Sequence, residues 1–528
     1  MNPESAKTST VWTETFDIPR FPTLTEAKTC DVCVVGAGIT GLTAAFLLAT
    51  EGKSVIVVDD GPLCGGESQR TTAHVTDVLD RRYFEIIKNH GIENAKTIFQ
   101  AYRAAMDQIA VIVKQEQIDC DFEKVDGHLF LSPESKLAQL EDELKAVTEI
   151  GFAGVKLVDC PLKRKEIVPS LCFPNQYQFH VLKYLDGLIE ACLERGVQIF
   201  AGTHIGGIDD GATVVVKKTN QENVAVSANA VIVATNSPIL GLGVHLKQAA
   251  YRTYVIAARV PISSMPKGLF WDTQDPYHYV RVQPIEDDLE YEMLIVGGED
   301  HKTGQADDAE ERFLRLEQWA REWCANFTTV DFKWSGQVYE PVDGIGYIGK
   351  QPGSKGIYIA TGASGVGMSF ATVAGMLLTD ALCGRENSAA KIFDPTRLPM
   401  STPFDFIKEN LNAAAQFVEY LTTPEITSTM QIHPGEGAVI TRNGEKIAVC
   451  RDDKGNLCQR SAICPHMGGI VAWNSLEKSW DCPVHGSRFD LNGKVLDGPA
   501  NKDLGEVLTK LSDEGEQESQ SCSEQKAS

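Results

Sequence analysis

With 49 basic against 72 acidic residues among 528, the chain carries a net charge of −23. That balance argues against nucleic acid or an anionic membrane as a partner, and the length predicts two or three domains with ample core for each. No apolar run approaches the ~20 residues that span a bilayer, and Met1–Thr29 lacks the apolar core of a signal peptide, so a cytoplasmic protein without a membrane span is expected.

After an N-terminal extension over 1–30, Asp31-Val-Cys-Val-Val35 reads as a strand ending in Gly36-Ala-Gly38-Ile-Thr-Gly41. An apolar helix pattern follows over Leu42–Ala49, then a second strand over Ser54–Val58 closed by Asp59. Strand, glycine turn, helix, strand and acid in this order form a dinucleotide-binding unit. Gly36 permits the tight turn, Gly38 lets the backbone approach a pyrophosphate, and Gly41 lets the helix pack on the strand. The helix N-terminus offers N–H groups to the phosphates, and Asp59 can accept from a ribose diol. Arg70, Thr71 and Thr72 follow and are expected beside the pyrophosphate.

A second such unit is absent, so a built-in NAD(P)H site is not expected. FAD is favoured by a remote segment. Gly356–Ala360 is strand-like and leads through Gly362, Gly365 and Gly367 into an apolar helix over Met368–Leu382. Such a turn can set N–H groups beside an isoalloxazine carbonyl, where negative charge develops on reduction. Between these pieces, segments at about 83–170 and 249–333 are expected to build a substrate domain, the second from alternating strands such as Tyr279–Val282 and Met293–Gly298. The flavin unit then occupies 31–400. A linker over 401–424 carries a helix-spaced apolar stripe (Phe404, Ile407, Leu411, Phe417 and others) that predicts a helix docking a second domain.

Short strands mark the last domain, over 425–511, before a Glu/Gln/Ser-rich tail at 512–528 expected to be disordered. Within it, Cys464-Pro-His466 is followed after fifteen residues by Cys482-Pro-Val-His485. Two loops each offer one thiolate and one imidazole. That set suits a [2Fe–2S] cluster with two cysteines on one iron and two histidines on the other, the neutral imidazoles raising the potential. The alternative is a structural zinc on the same four residues, although zinc loops usually leave at least two residues between paired ligands.

The cluster segment resembles a Rieske domain. The matching loops of bc-complex Rieske proteins hold an extra cysteine each, joined as a disulfide; Gly469 and Val484 stand there in this chain, which suits a reducing compartment. Ser487 matches a serine that donates to a cluster sulfur, while Phe489 replaces a donating tyrosine. A potential in the middle or lower part of the roughly −150 to +300 mV Rieske range follows. Asp31–Arg397 resembles the D-amino-acid oxidase-like superfamily through the Gly36–Gly41 turn, Gly65–His74, Ala230–Thr235, Asp343–Gly349 and Phe393–Arg397.

Together the two resemblances imply an α/β FAD-binding Rossmann-like domain with an inserted mixed-sheet substrate domain, followed by an all-β Rieske domain. The implied activity is oxidation of a small amine or N-alkyl compound by FAD, with electrons passing through the cluster to an external acceptor or redox protein. The alternative is an electron-transfer protein serving a partner oxygenase or reductase. Glycine oxidase-like members bind the substrate carboxylate with an arginine just before the Asp-Gly turn, but Ser335–Pro341 holds none. Tyr339 fits the dimethylglycine dehydrogenase-like pattern, and Arg252, Tyr254 and Arg281 are the remaining pocket candidates. His74 lies near the position of a covalently flavinylated histidine in dimethylglycine dehydrogenase, in different surroundings.

Overall fold

Apolar runs with no polar alternation, Val32–Val35 and Val55–Val58, become the middle of a parallel sheet covered on both faces. The computed structural model describes residues 7–162, 167–219, 224–239, 242–398, 403–416, 426 and 428–507. In this first sheet the strands run in the order Tyr347–Lys350, Ile357–Thr361, Ala225–Val233, Lys28–Val35, Val55–Val58 and Gln198–Phe200. The helix Ile39–Thr50 packs on the helix Gly367–Leu382, closely enough that a Cβ on Gly375 would meet Thr43 Cγ2 at 2.9 Å. Helical residues Ser364–Leu382 are apolar and long enough to pass as a membrane span, which the sequence reading did not anticipate. Two thirds of that stretch is buried, and burial on nearly every side accounts for its apolarity.

The inserted segments form a second, mixed sheet. Its order is Phe332–Pro341, Gln248–Pro261, Tyr291–Lys302, His278–Pro284, Leu269–Asp272, Glu123–Phe130, Pro169–Gln178 and His74–Val75. One pairing, Leu269–Asp272 with Glu123–Phe130, is parallel, and it joins the two insertions across the sheet. Helices Tyr83–His90, Ile92–Gln115 and Leu137–Glu149 belong to the first insertion.

The C-terminal domain is built from small antiparallel sheets: Gly437–Arg442, Glu445–Arg451 and Leu457–Ser461 in one, and Ala472–Asn474, Ser479–Asp481, Arg488–Phe489 and Val495–Asp497 in the other. The expected linker helix spans Pro403–Ala415. Its neighbours are met through polar groups: Lys302 Nζ donates to Glu409 at 2.5 Å and Asn410 to Leu246 O at 3.0 Å, whereas Ile407 and Leu411 are exposed. The apolar stripe therefore does not dock through those two positions; Phe417 and the tail from 512 lie outside the described residues.

Candidate functional site: a flavin cavity walled by the cluster domain

The first glycine turn takes the expected form. Gly36 has φ +106°, and a Cβ there would meet Ala234 O at 2.5 Å, so glycine is required twice over. Gly38 caps the helix Ile39–Thr50, while Gly41 abuts the Gly36 carbonyl, a packing role away from the cavity. Asp59 accepts from Ala37 N at 2.6 Å and from Gly61 N at 2.9 Å, tying the second strand to the turn. Burial, and then the charge of Asp60, pushes its carboxyl up to about 7.

These residues open onto a cavity of about 310 Å³ that runs between the two large sheets. Gly36, Gly38, Asp59, Arg70, Thr71, Thr72, His74, Gly365 and Gly367 line it, as does Tyr339. Gly362 (φ +78°) sits outside the lining, its Cα facing Pro341 Cγ. One N–H of the second glycine turn is already engaged, since Gly365 N donates to Asp80 Oδ2 at 2.5 Å. His74 Nδ1 lies 2.9 Å from Thr72 Oγ1, and its Nε2 is sealed from solvent. Burial drives the His74 imidazole down to about 3, so it is neutral.

Three of the pocket candidates do not reach the cavity. The Arg252 guanidinium is 1% exposed and bonds Ser335 Oγ and Glu477, at 3.4 Å from the latter. Arg281 donates to Phe179 O at 3.1 Å and to Gln283 Oε1 at 2.6 Å. Tyr254 packs beside His301 and Phe313. Arg70 lines the cavity but its guanidinium turns away, bonding Ser335 O, Thr8 and Glu477 Oε1 (2.9 Å). The guanidinium expected beside a pyrophosphate is thus held by a buried carboxylate from the other domain. Sequence reasoning missed Asp80, Asp300 and Glu340, which also line the cavity. They stand far apart in the chain and no local motif marks them.

The four cluster-loop residues come together. Cys464 and Cys482 are 1% and 2% exposed and adjoin closely enough to share a hydrogen bond, which holds the Cys464 thiol down to about 7. The Ser487 hydroxyl also favours its thiolate and accepts from Ala500 N at 3.0 Å. The His466 and His485 rings lie 5.1 Å apart, and buried His485 Nδ1 has no partner. Two thiols and two imidazoles on two loops are the donor set of a two-iron cluster, which asks two protein ligands of each iron. A Cβ on Gly469 would meet Val484 Cγ2 at 2.5 Å, which places the two cysteine-free positions face to face.

Comparison with known proteins agrees with both halves. The family model for FAD dependent oxidoreductases (DAO) matches residues 31–381, and that for the Rieske [2Fe-2S] domain matches residues 423–509. The chain belongs to the DAO family of FAD-dependent oxidoreductases and carries a C-terminal Rieske domain. The Bacillus subtilis protein bearing the name Rieske 2Fe-2S iron-sulfur protein YhfW is 31% identical over 503 residues, covering 94% of this chain and 97% of that one. The gamma-glutamylputrescine oxidoreductase of Escherichia coli is 26% identical over 381 residues, 69% of this chain and 86% of that one. Among solved structures, glycine oxidase from Geobacillus kaustophilus superposes with a TM-score of 0.59 at 16% identity, over 70% of this chain and 99% of that one. The cofactors of this DAO–Rieske chain are FAD and a [2Fe–2S] cluster.

The two centres' sites adjoin. Leu496, Asp497, Gly498 and Ala500 of the Rieske domain line the flavin cavity, and Ala500 N is bonded to Ser487 of the second cluster loop. From the other side, Tyr339 donates to Gly498 O at 3.1 Å, and Gln337 Nε2 donates to Gly486 O at 2.9 Å. His245 of the flavin-binding part stacks edge-on against His466, with ring centroids 4.9 Å apart. Tyr339, expected in the pocket, stands at the seam between cavity and cluster loop.

Proposed function

We propose that this chain is a dehydrogenase that oxidises a C–N bond of an amine-like substrate and delivers the electrons through its Rieske domain to an external one-electron acceptor. The shared wall of Leu496, Asp497, Gly498 and Ala500 carries this reading, because a cavity walled by a second redox domain serves little purpose in an oxidase that meets oxygen directly. The relationship to a gamma-glutamylputrescine oxidoreductase supports an amine as substrate. When bound, FAD supplies an acceptor for a hydride from the carbon beside nitrogen, and the cluster supplies one-electron exchange.

In this reading Cys464 and Cys482 hold one iron and His466 and His485 the other. Gly36, Gly38 and the N–H groups of the helix Ile39–Thr50 receive the dinucleotide phosphates. Amine oxidation also sheds a proton, and two buried carboxyls can hold one near neutrality. Burial, and next the charge of Asp80, raises Glu340 to about 8; burial likewise raises Asp300 to about 7. Half-buried His466 sits beside exposed Ile463 and Met467, which leaves one edge of the cluster site open to an acceptor.

Anaerobic mixing of the protein with a panel of secondary and tertiary amines, followed by optical and EPR spectra, tests this. Flavin bleaching together with a reduced Rieske signal is expected. Silence across the panel, with both centres reducible by dithionite, would favour the electron-transfer alternative. Cys482→Ser is expected to keep flavin bleaching and to abolish delivery to a one-electron acceptor.

A further inference from the structure

Three carboxylates converge in the flavin cavity from separate elements: Asp80 from the loop before the helix Tyr83–His90, Asp300 from the strand Tyr291–Lys302, and Glu340 from the strand Phe332–Pro341. Ser364 Oγ lies 2.7 and 2.8 Å from the two oxygens of Glu340 and 3.0 Å from Asp80 Oδ2. One hydroxyl has one proton to give, so it cannot satisfy both groups. Asp300 Oδ1 is sealed from solvent and meets no hydrogen-bond partner. Neighbouring buried carboxylates repel one another and lose hydration, which raises their proton affinity.

The cations that act on them stand behind the lining, Arg81 on Glu340 and Arg312 and His278 on Asp300. Arg70 is its one arginine or lysine among the described lining residues, and Glu477 holds that guanidinium. The wall shared with Asp300 is aromatic: Trp271, Tyr277 and Tyr279 line it, the two tyrosine rings with centroids 5.6 Å apart. The Tyr279 hydroxyl is fixed by Thr253 Oγ1 at 2.7 Å. Aromatic faces beside carboxylates attract an ammonium group and offer nothing to a carboxylate. His74, 6% exposed, lines the same space with a neutral ring.

We propose that the cavity selects amines bearing a second, remote ammonium group, held by Asp300 and Glu340 against the aromatic wall, and discriminates against free amino acids. This rests on the amine-oxidation reading above and names its substrate class. The acids then act as a charge filter: a cationic tail relieves their mutual repulsion, a methyl tail leaves it, and an anionic tail adds to it.

Three ligands of equal length and different tail charge separate these cases: 1,4-diaminobutane, butylamine and 4-aminobutanoate. Each is titrated anaerobically into the FAD- and cluster-loaded protein, with perturbation of the flavin absorption reporting binding and bleaching reporting oxidation. Diaminobutane is expected to bind at least tenfold more tightly than butylamine, and 4-aminobutanoate more weakly than both. Asp300→Asn and Glu340→Gln, near-isosteric and checked for retained flavin and cluster spectra, should each lower the diaminobutane-to-butylamine affinity ratio about tenfold, or 1.4 kcal/mol. Tetramethylammonium, which cannot be oxidised at a C–H of a neutral amine, should compete with diaminobutane in the wild-type protein. Equal affinities, a preference for the anionic tail, or no perturbation by any ligand overturns the charge filter. Diaminobutane binding with the expected ratio but without bleaching upholds the filter and removes the amine-oxidation reading; bleaching without charge preference does the reverse.

Discussion

Ser487 shows how one hydroxyl near a metal site can be assigned a measurable effect. It is fully buried, receives the Ala500 N–H, and directs its own proton at Cys464, favouring the thiolate. A hydrogen bond to a cluster sulfur stabilises the more negative, reduced state and so raises the potential. Ser487→Ala is expected to lower the cluster potential in an EPR-monitored redox titration while leaving flavin binding intact; an unchanged potential would assign the hydroxyl to packing alone. Ser487 was legible because it follows the ligand His485 by two residues, although the sulfur it serves, on Cys464, belongs to the other loop. Asp300 and Glu340 were not legible, since strand positions that end in an acid are ordinary at a sheet surface. Only the pairing of distant strands turns them inward. Arg252 and Arg281 misled for the converse reason: an arginine in an alternating strand looks available, yet both are sealed in hydrogen bonds elsewhere.

The turn that carries Glu477, between the strands Ala472–Asn474 and Ser479–Asp481, is the element that fastens the Rieske domain. Its carboxylate is fully buried and accepts from Lys7 N at 2.8 Å, Thr8 N at 3.0 Å, Ser335 Oγ at 2.6 Å and Arg70 at 2.9 Å. Burial alone would raise its pKa, but the charges of Arg70, Arg252 and Arg488 prevail and bring it down to about 2. Removing one partner of a buried ionic group strands the others, so Glu477→Gln is expected to destabilise the protein by about 3 kcal/mol near neutral pH. A depressed native pKa gives stability that is complete above the unfolded value near 4.5 and is lost as pH falls from there toward 2. The gap between wild type and Glu477→Gln in urea unfolding should therefore be full at pH 7 and clearly smaller at pH 3.5. An equal gap at both would mean that shape, and not charge, fastens the turn. Individual strands and the glycine turns could be anticipated from pattern and motif, but this fastening could not, because it joins residues 7, 70, 335 and 477 through tertiary contact alone.

At the scale of the molecule, the two domains meet along one seam, which the proposed electron path would cross. Tyr339 and Gln337 lie on the same face of the strand Phe332–Pro341, and through it they grip the backbone of Gly486 and Gly498 while lining the flavin cavity. Cluster loop, cavity wall and strand are thus consecutive layers of a single folded chain, held by buried hydrogen bonds and by the Glu477 ionic cluster. Within such a unit, the proposed transfer between the two centres would be a unimolecular event whose rate is set by fixed distance. If the domains instead exchanged electrons between separate molecules, the rate would rise with protein concentration. In stopped-flow mixing with an oxidisable amine, the rate constant for appearance of the reduced cluster is expected to stay constant over a twentyfold range of protein concentration. Glu477→Gln, by loosening the seam without touching either cofactor's own residues, should slow that phase while flavin bleaching proceeds at the wild-type rate. A cluster phase that scales with concentration would show that the seam is structural and that electrons leave the flavin for another molecule.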